Sequence, residues 1–475
     1  MVRGAVVATL LVAGCAQIAG IDDTTGGNGL VTLHVTALYD GATVVEQPLD
    51  VTMQTASWFD STTDDTYAAT QTDSNGWSAD VASSSPVAQF TLPDVPTPYT
   101  HLVASGSRDV TYPEVFYGHP SATPPPSGAS FMVQVVLPTP IAATEQYQIA
   151  AVGAWMTDVL SATEAPVTAT SIGPETIDYS EFAPSTPSPA AAITSADLVA
   201  MVRYTSGTLT GALVFPAFDQ TGSPAPLTGT LTAVTADQTF TATIDPTTAA
   251  ARYGALRPAM TGFAVTWGLY AAPGATIDSG AGIRLASGAP AMTDTSLTAS
   301  YGNPFTAQSW PPLFEYVTSA NRSSVAGGIT IGLGAGIYTV TDTSANQNLS
   351  LPVGLPELVT IDQMPLNTDG MALALAPGPV DVSFIADQQS NTSYELTMYD
   401  IVVTGTTVTH APVFDYVGPT TDFVVPAELF HTGHTYVIRA SCIAGGEPGF
   451  ATGDLVTRSL PMSVGYFDSA VFTVQ

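Results

Sequence analysis

Short runs in which apolar and polar residues alternate recur along the chain, and they constrain its fold more than any other feature. In the run 31–39, for example, Val31, Leu33 and Val35 are separated by Thr32 and His34. A period of two residues puts every second side chain on one face of a β-strand. Glycine (41 residues) and proline (37) stand mostly between the runs, and no sustained 3.6-residue apolar period follows the N-terminal segment. The pattern predicts an all-β chain of tandem antiparallel sandwiches.

Helices are expected only as brief turns, at 194–201 and 246–253. The region 139–352 resembles no family, but its runs predict a sandwich or jelly-roll domain. The predicted strands there are 146–155, 198–205, 207–215, 227–234, 238–244, 261–270, 312–318 and 328–340.

The charge balance is strongly acidic. Asp and Glu number 40 against 9 basic residues, all of them arginine, and the formal net charge is −31. Nucleic-acid binding requires Lys and Arg to displace counterions, so no nucleic-acid partner is expected. The lack of lysine excludes P-loop, Schiff-base and Ser-x-x-Lys chemistry. Divalent cations are expected to collect around such a surface.

The first 14 residues have the layout of an export signal. Arg3 precedes an apolar stretch at 5–13, which is shorter than the roughly 20 residues that a membrane-spanning helix needs. Val12-Ala13-Gly14-Cys15 resembles the lipobox of bacterial lipoproteins. The resemblance implies cleavage after residue 14 and acylation of Cys15, with 15–29 as the lipidated cysteine and a flexible tether. Ala16 then favours lipid anchoring in the outer membrane. A plain secretory signal with an incidental cysteine is the alternative.

Residues 30–138 form the first predicted module. It opens with the alternating run at 31–39 and contains the turn Thr72-Asp73-Ser74-Asn75-Gly76, the segment Phe90-Thr91-Leu92-Pro93 and a closing strand at 131–137. Together these features resemble the carboxypeptidase-regulatory, transthyretin-like β-sandwich. The resemblance implies a non-catalytic accessory module.

Residues 353–475 form the last predicted module. The segment from Phe430 through Gly433 to Tyr436 resembles the E–F corner of fibronectin type III domains. The resemblance implies a fibronectin-type or related immunoglobulin-like sandwich, in which the Tyr436 hydroxyl bonds to upstream backbone as a structural tyrosine corner. Alternation from Tyr436 then places Cys442 in the core. Phe384 stands where that family usually has Trp, so the match departs from the pattern there.

The acidic loops of the first module are candidate calcium ligands, because Ca²⁺ takes six to eight oxygens from short polar side chains. The EF-hand pattern is incomplete, and a solvated hairpin turn is the preferred interpretation. Calcium is the only cofactor considered, and its candidate ligands are Asp60, Asp64, Asp65, Asp73, Asn75 and Asp80.

Three other motifs have competing interpretations. His431 and His434 could bind a metal, but on a turn their spacing does not align side chains as it does on a helix, so exposed turn residues are expected. The glycine-rich run 332–336 precedes a strand-like segment, which favours a strand over a phosphate loop. Exposed tryptophans could stack against sugars, although tryptophan in sandwiches is more often core; the candidates are Trp58, Trp77 and Trp310.

Two functions fit these observations. The first is a non-catalytic surface lipoprotein whose sandwich loops bind a glycan or another envelope protein, or serve a structural or adhesive role. The second is an envelope-anchored hydrolase with a glycosidase-like carboxylate pair in 139–352. No Gly-x-Ser-x-Gly nucleophile elbow occurs in the sequence. The first function is preferred.

Overall fold

The structure is a computed structural model that describes residues 29–475 with several gaps. The predicted signal peptide, Cys15 and the tether up to residue 28 lie outside the described residues, and so does Asp64. The gaps are 42, 61, 64, 84–85, 94–98, 119, 121–124, 153–155, 179–182, 185–191, 274–281, 327, 344–346, 351, 387–392, 446–448, 450–451 and 457–458.

Strands account for 58% of the structure and helices for 4%, which confirms the predicted all-β class. Helix α1 (Pro246–Ala255) lies where one helical turn was expected, and Asp245 caps it by accepting the Thr248 N–H at 2.9 Å. The other expected helix is only a turn, because strand backbone begins at Val199. Short 3₁₀ turns cover Thr306–Gln308 and Ala427–Leu429. Among the described residues, no helix has the length and apolar character needed to cross a membrane.

The strands of the first region include the predicted opening strand and the segments on either side of the Asp73 turn. In chain order they are β1 (Gly29–Asp40), β2 (Val44–Pro48), β3 (Ala56–Asp60), β4 (Thr66–Ala68), β5 (Thr70–Asp73), β6 (Gly76–Val81), β7 (Pro86–Phe90), β8 (Thr100–Ala104), β9 (Asp109–Tyr117) and β10 (Ser130–Val136).

Every run predicted for the middle region contains a strand. Three of the longer strands of this region were not predicted. The first covers 171–178, where Gly173 and Pro174 look like turn residues. The other two are the segments 283–288 and 296–301, which are rich in small residues. In chain order the strands are β11 (Glu145–Ala151), β12 (Met156–Val159), β13 (Ser171–Asp178), β14 (Ala183–Pro184), β15 (Val199–Thr205), β16 (Thr208–Val214), β17 (Ala225–Thr230), β18 (Thr232–Ala233), β19 (Gln238–Thr243), β20 (Gly262–Ala271), β21 (Ile283–Gly288), β22 (Ser296–Tyr301), β23 (Pro312–Ala326), β24 (Ile329–Asp342) and β25 (Gln347–Asn348).

The last region contains long strands joined by tight turns. In chain order they are β26 (Pro356–Ile361), β27 (Met364–Pro365), β28 (Met371–Leu373), β29 (Val380–Ala386), β30 (Ser393–Thr404), β31 (Thr407–Gly418), β32 (Asp422–Val425), β33 (Thr435–Gly445), β34 (Met462–Asp468) and β35 (Phe472–Val474).

One 14-stranded sheet contains strands from all three regions. Its main path runs β21-β20-β23-β24-β34-β33-β30-β31-β8-β7-β3-β4, and smaller sheets pack against it. The link between the last and first regions is parallel, with Thr100 of β8 beside Phe414 of β31. The expected closing strand of the first module, β10, pairs instead with β13 and β17 of the middle region. Its side chains Phe131 and Val133 accordingly lie in a middle core.

Several strands are buried on both faces because they separate two cores. In β3, Trp58 belongs to the core of the first region (the first core), while Phe59 belongs to the core of the last region (the C-terminal core). In β8, Val103 belongs to the first core and Leu102 belongs to the C-terminal core. The sheet formed by β11, β12, β15 and β16 similarly lies between two middle cores. Successive sandwiches therefore share sheets.

The C-terminal region also covers an edge of the first sandwich. The N–H of Thr111 in β9 donates to the Gly453 carbonyl at 2.8 Å, and the Leu455 N–H donates back to the Thr111 carbonyl at 3.0 Å. The Leu455 side chain is buried in the first core. Burial of a leucine contributes about 1.5–3 kcal/mol, so the end of the chain helps to stabilise the beginning.

Candidate functional site

The predicted calcium ligands are divided between two sheets. Asp60 ends β3 of the 14-stranded sheet, and its carboxylate accepts the Thr62 N–H at 2.8 Å. Asp73 ends β5 of a five-stranded sheet, and its carboxylate accepts the Asn75 N–H at 3.1 Å. Both carboxylates therefore stabilise their own turns.

The remaining described candidates also have local roles or face solvent. Asp65 accepts the Thr63 hydroxyl at 2.9 Å, and the Asn75 amide donates to the Val35 carbonyl at 3.4 Å. Asp80 is exposed in β6. Within the described ranges, no three or more His, Cys, Asp or Glu side chains are grouped so as to hold a metal ion.

The predicted hydrogen bond at the tyrosine corner is present. Tyr436 is fully buried, and its hydroxyl accepts the backbone N–H of His431 at 2.8 Å. Gly433 has a φ of 85°, a left-handed conformation that favours glycine. Its N–H donates to the Val474 carbonyl at 2.8 Å. Burial raises the pKa of Tyr436, so its hydroxyl stays protonated well beyond neutral pH.

The two histidines of this corner lie side by side at the surface. The ring centroids of His431 and His434 are 5.4 Å apart, and the ring planes meet at 62°. The Nδ1 atom of His434 lies 2.7 Å from Oδ2 of Asp400 at the neighbouring strand β30. Both histidines are exposed, as predicted.

A buried polar cluster that the sequence analysis did not identify joins the first and last regions. His101 of β8 is 1% exposed, and its Nδ1 lies 2.8 Å from Oδ1 of Asp415 on β31. The Tyr112 hydroxyl of β9 donates to Oδ2 of Asp415 at 3.3 Å. The rings of Phe90 and Tyr99 pack against the imidazole, with centroids 5.3 and 4.5 Å away. Asp415 lies about 300 positions from the other residues in the sequence and shares no motif with them, so no local pattern could have indicated the cluster.

The environment of this cluster keeps its tyrosines protonated. Burial, followed by the negative charge of Asp415, raises the pKa of Tyr112 well above its ordinary value. The pKa of Tyr99 is raised by the same two causes in the same order. The Nε2 atom of His101 forms no hydrogen bond with the described residues. The Nδ1 atom of His101 lies close both to the Asp415 carboxylate and to the Tyr112 hydroxyl, which is 3.3 Å away. A buried imidazole with these contacts, packed between aromatic rings, is suited to hold two sandwiches together.

Two arginines, Arg322 on β23 and Arg439 on β33, likewise pair with carboxylates of the fold. Arg322 donates to both oxygens of Asp369, at 2.6 and 3.1 Å. Arg439 donates to both oxygens of Asp468, at 2.8 and 3.0 Å, and the second oxygen also accepts the Gly334 N–H at 2.8 Å. Such two-point contacts fix the geometry of both partners. Both arginines are therefore committed to contacts that stabilise the fold.

The carboxylates of the middle region mostly stabilise nearby turns. Asp219 accepts the Ser195 N–H at 2.8 Å, and Asp245 caps α1. These backbone hydrogen bonds lower the pKa of both carboxyl groups. A glycosidase acid needs a raised pKa so that it holds a proton near neutral pH, and these two carboxyl groups are shifted the other way.

The tryptophans proposed to stack against sugars are buried instead. Trp58 and Trp77 are each 2% exposed in the first core, and Trp310 is 6% exposed in a middle core. The interpretation of these tryptophans as core is therefore confirmed, and the sugar-stacking alternative is wrong for all three. Trp58 is buried because β3 lies between two cores. The glycine-rich run 332–336 lies within β24, as predicted, and the Tyr466 ring packs closely over Gly336.

A groove of about 220 Å³ runs across the ends of β3, β7 and β8. Its lining is free of charged side chains, although the protein as a whole is strongly acidic. Threonine and serine hydroxyls and one amide supply hydrogen-bonding groups, and Ala56 supplies apolar surface, while Phe90 is buried beneath the groove. The lining residues are Thr55, Ala56, Ser57, Gln89, Phe90, Thr91 and Thr100.

Comparison of the chain with models of known protein families found no matching family, and comparison with curated proteins found no matching protein among them.

Proposed function

We propose that this chain is a non-catalytic surface lipoprotein of the bacterial cell envelope. Cys15 holds it to the outer membrane through its lipid, and the sandwiches present loops and grooves to a glycan or to another envelope protein. The support for the anchor is the sequence Val12-Ala13-Gly14-Cys15 with its short apolar flank. Acyl chains contribute about 0.8 kcal/mol per buried CH₂, so two or more chains anchor a protein stably.

The observation that carries the non-catalytic assignment is the role of the polar side chains. Asp219 and Asp245 accept hydrogen bonds from backbone of their own turns or neighbouring ones. His101 and Asp415 join two sandwiches in the interior. Residue types that often perform catalysis thus hold the scaffold in shape. Shared sheets keep the surface loops at fixed spacings, which suits presentation to a partner.

The uncharged groove supports a glycan as the partner class. Neutral sugars are bound through hydroxyl and amide hydrogen bonds together with contacts to apolar surface. The groove offers hydrogen-bonding groups through Gln89, Ser57 and Thr100, and Ala56 adds a small apolar contact. Polyanionic ligands would be repelled by a protein with a net charge of −31.

The anchor is tested by replacing each cysteine in turn in the full chain expressed in a bacterial host. Wild type should incorporate labelled palmitate and fractionate with membranes, and Cys15→Ser should do neither. Cys442→Ala is the matched control, because it removes the other cysteine and should leave acylation unchanged. Labelling or membrane retention of Cys15→Ser would refute the anchor.

The binding role is tested by screening the full chain against an array of neutral and acidic glycans. We expect a neutral glycan to bind, and Gln89→Ala to weaken that binding. Gln71→Ala, on an exposed strand outside the groove, is the matched control. Failure to bind any glycan, together with failure to capture any envelope protein, would contradict this role. Release of reducing sugar from a bound glycan would favour the hydrolase instead.

A further inference from the structure

The turn that carries His431 and His434 is held rigidly by hydrogen bonds on several sides. The His431 N–H donates to the buried Tyr436 hydroxyl at 2.8 Å, and the His434 N–H donates to the His431 carbonyl at 3.2 Å. The Gly433 N–H and the His434 carbonyl both bond to the backbone of Val474 on β35, at 2.8 and 3.2 Å. The backbone positions of both histidines are therefore fixed before any ligand arrives.

The separation of the two rings fits chelation of one metal ion. A tetrahedral Zn²⁺ with nitrogens at about 2.0–2.1 Å places the centroids of two bound imidazoles roughly 5 Å apart. The centroids of His431 and His434 are 5.4 Å apart. The turn thus achieves what a three-residue spacing alone does not ensure, because Gly433 takes a positive φ between the two histidines.

Asp400 supplies the outer contact that metal-binding histidines commonly have. Its Oδ2 lies 2.7 Å from Nδ1 of His434, which leaves Nε2 as the ring nitrogen available to a metal. A carboxylate on the far nitrogen sets the tautomer and orientation of the ring. The Asp400 side chain is 19% exposed and that of His434 is 47% exposed, so the carboxylate is held in the fold while the imidazole meets solvent.

We propose that His431 and His434 form a surface site for a divalent transition metal of the zinc class, oriented by Asp400. Imidazole ligands suit Zn²⁺, Cu²⁺ and Ni²⁺ and discriminate against the hard ions Ca²⁺ and Mg²⁺. The chain supplies two ligands, since the described residues contain no group of three candidate ligands. Water or a second molecule completes the coordination. The acidic surface raises the local concentration of the cation.

The test is calorimetric titration of the full chain with Zn²⁺ in the presence of excess Mg²⁺, which occupies the acidic surface without competing for imidazole. We expect saturable Zn²⁺ binding that His431→Ala and His434→Ala each abolish or greatly weaken. Asp400→Asn should weaken it about 10- to 100-fold, the usual effect of losing such an outer contact.

His410→Ala is the matched control, because His410 is also exposed in the last region, where its ring packs against Tyr399. This variant should bind Zn²⁺ like wild type. The three histidines are at the surface, so circular dichroism should show all variants folded. An absence of saturable binding would overturn the proposal, and so would binding that survives both His431→Ala and His434→Ala.

Discussion

Asp415→Ala should destabilise the first sandwich, although the substituted residue lies in the last region of the chain. The substitution removes the carboxylate that lies 2.8 Å from Nδ1 of His101 and accepts the Tyr112 hydroxyl. Loss of a partner from a buried polar group costs about 1–3 kcal/mol. The His101 side chain is 1% exposed, so water cannot replace the lost carboxylate as a partner of the imidazole. The Asp415 side chain is 14% exposed, so some water can enter at that position. We therefore expect the free energy of unfolding to fall by about 2 kcal/mol.

A double-mutant cycle separates the contact from the general effect of an altered strand. His101→Phe removes the polar partner and keeps an aromatic ring against Phe90. In that background Asp415→Ala should cost less, by about 1–2 kcal/mol, because no imidazole remains to lose its carboxylate partner. Asp422→Ala, at an exposed position of β32, is the control and should change stability little.

Urea denaturation followed by tryptophan fluorescence and circular dichroism measures these differences. Trp58 and Trp77 lie in the first core, so their emission reports on the sandwich that contains His101. The reasoning would be refuted if Asp415→Ala unfolded at the same urea concentration as Asp422→Ala. Strictly additive effects of His101→Phe and Asp415→Ala would also refute it.

Three further predictions concern the last region. Tyr436→Phe removes the acceptor of the His431 N–H and should lower the free energy of unfolding by about 1 kcal/mol, measured by urea denaturation; an unchanged midpoint would contradict a structural role for the hydroxyl. Gly336→Ala puts a Cβ 2.6 Å from the Tyr466 ring and should cost about 1–3 kcal/mol, whereas Gly332→Ala, with open space at its Cβ, should cost less in the same assay. Burial raises the pKa of the Cys442 thiol to about 12, so at pH 8 the thiol is protonated as well as inaccessible. The native Cys15→Ser chain should then resist a thiol reagent and react only in denaturant, and rapid native labelling would show that the core opens.

Much of the local structure could be predicted from the sequence, because local structure follows from local pattern. Alternation at a period of two predicted eight runs in the middle region, and each of them contains a strand. The position of Gly433 and Tyr436 predicted a hydroxyl-to-backbone hydrogen bond that the structure contains. Alternation from Tyr436 correctly predicted that Cys442 is buried. The strands it missed, such as β13, contain residues that more often end strands than continue them.

The assembly of those strands was not predictable in the same way. A strand's own residues determine which side chains share a face, but they do not determine its neighbour. The pairing of β10 with the middle region and the pairing of β8 with β31 are two examples that the sequence did not predict. Burial on both faces of β3 follows from such pairing, and it places Trp58 in the first core and Phe59 in the C-terminal core.

The sequence by itself determined the all-β class, many of the strand positions and the strongly acidic charge, because composition and period act within each segment. Only the tertiary structure decided which polar residues meet. It brought His101 to Asp415 across the sheet and set the rings of His431 and His434 5.4 Å apart beside Asp400. Those contacts depend on long-range pairing and on backbone turns, since the distance between two side chains is set by the folded path between them.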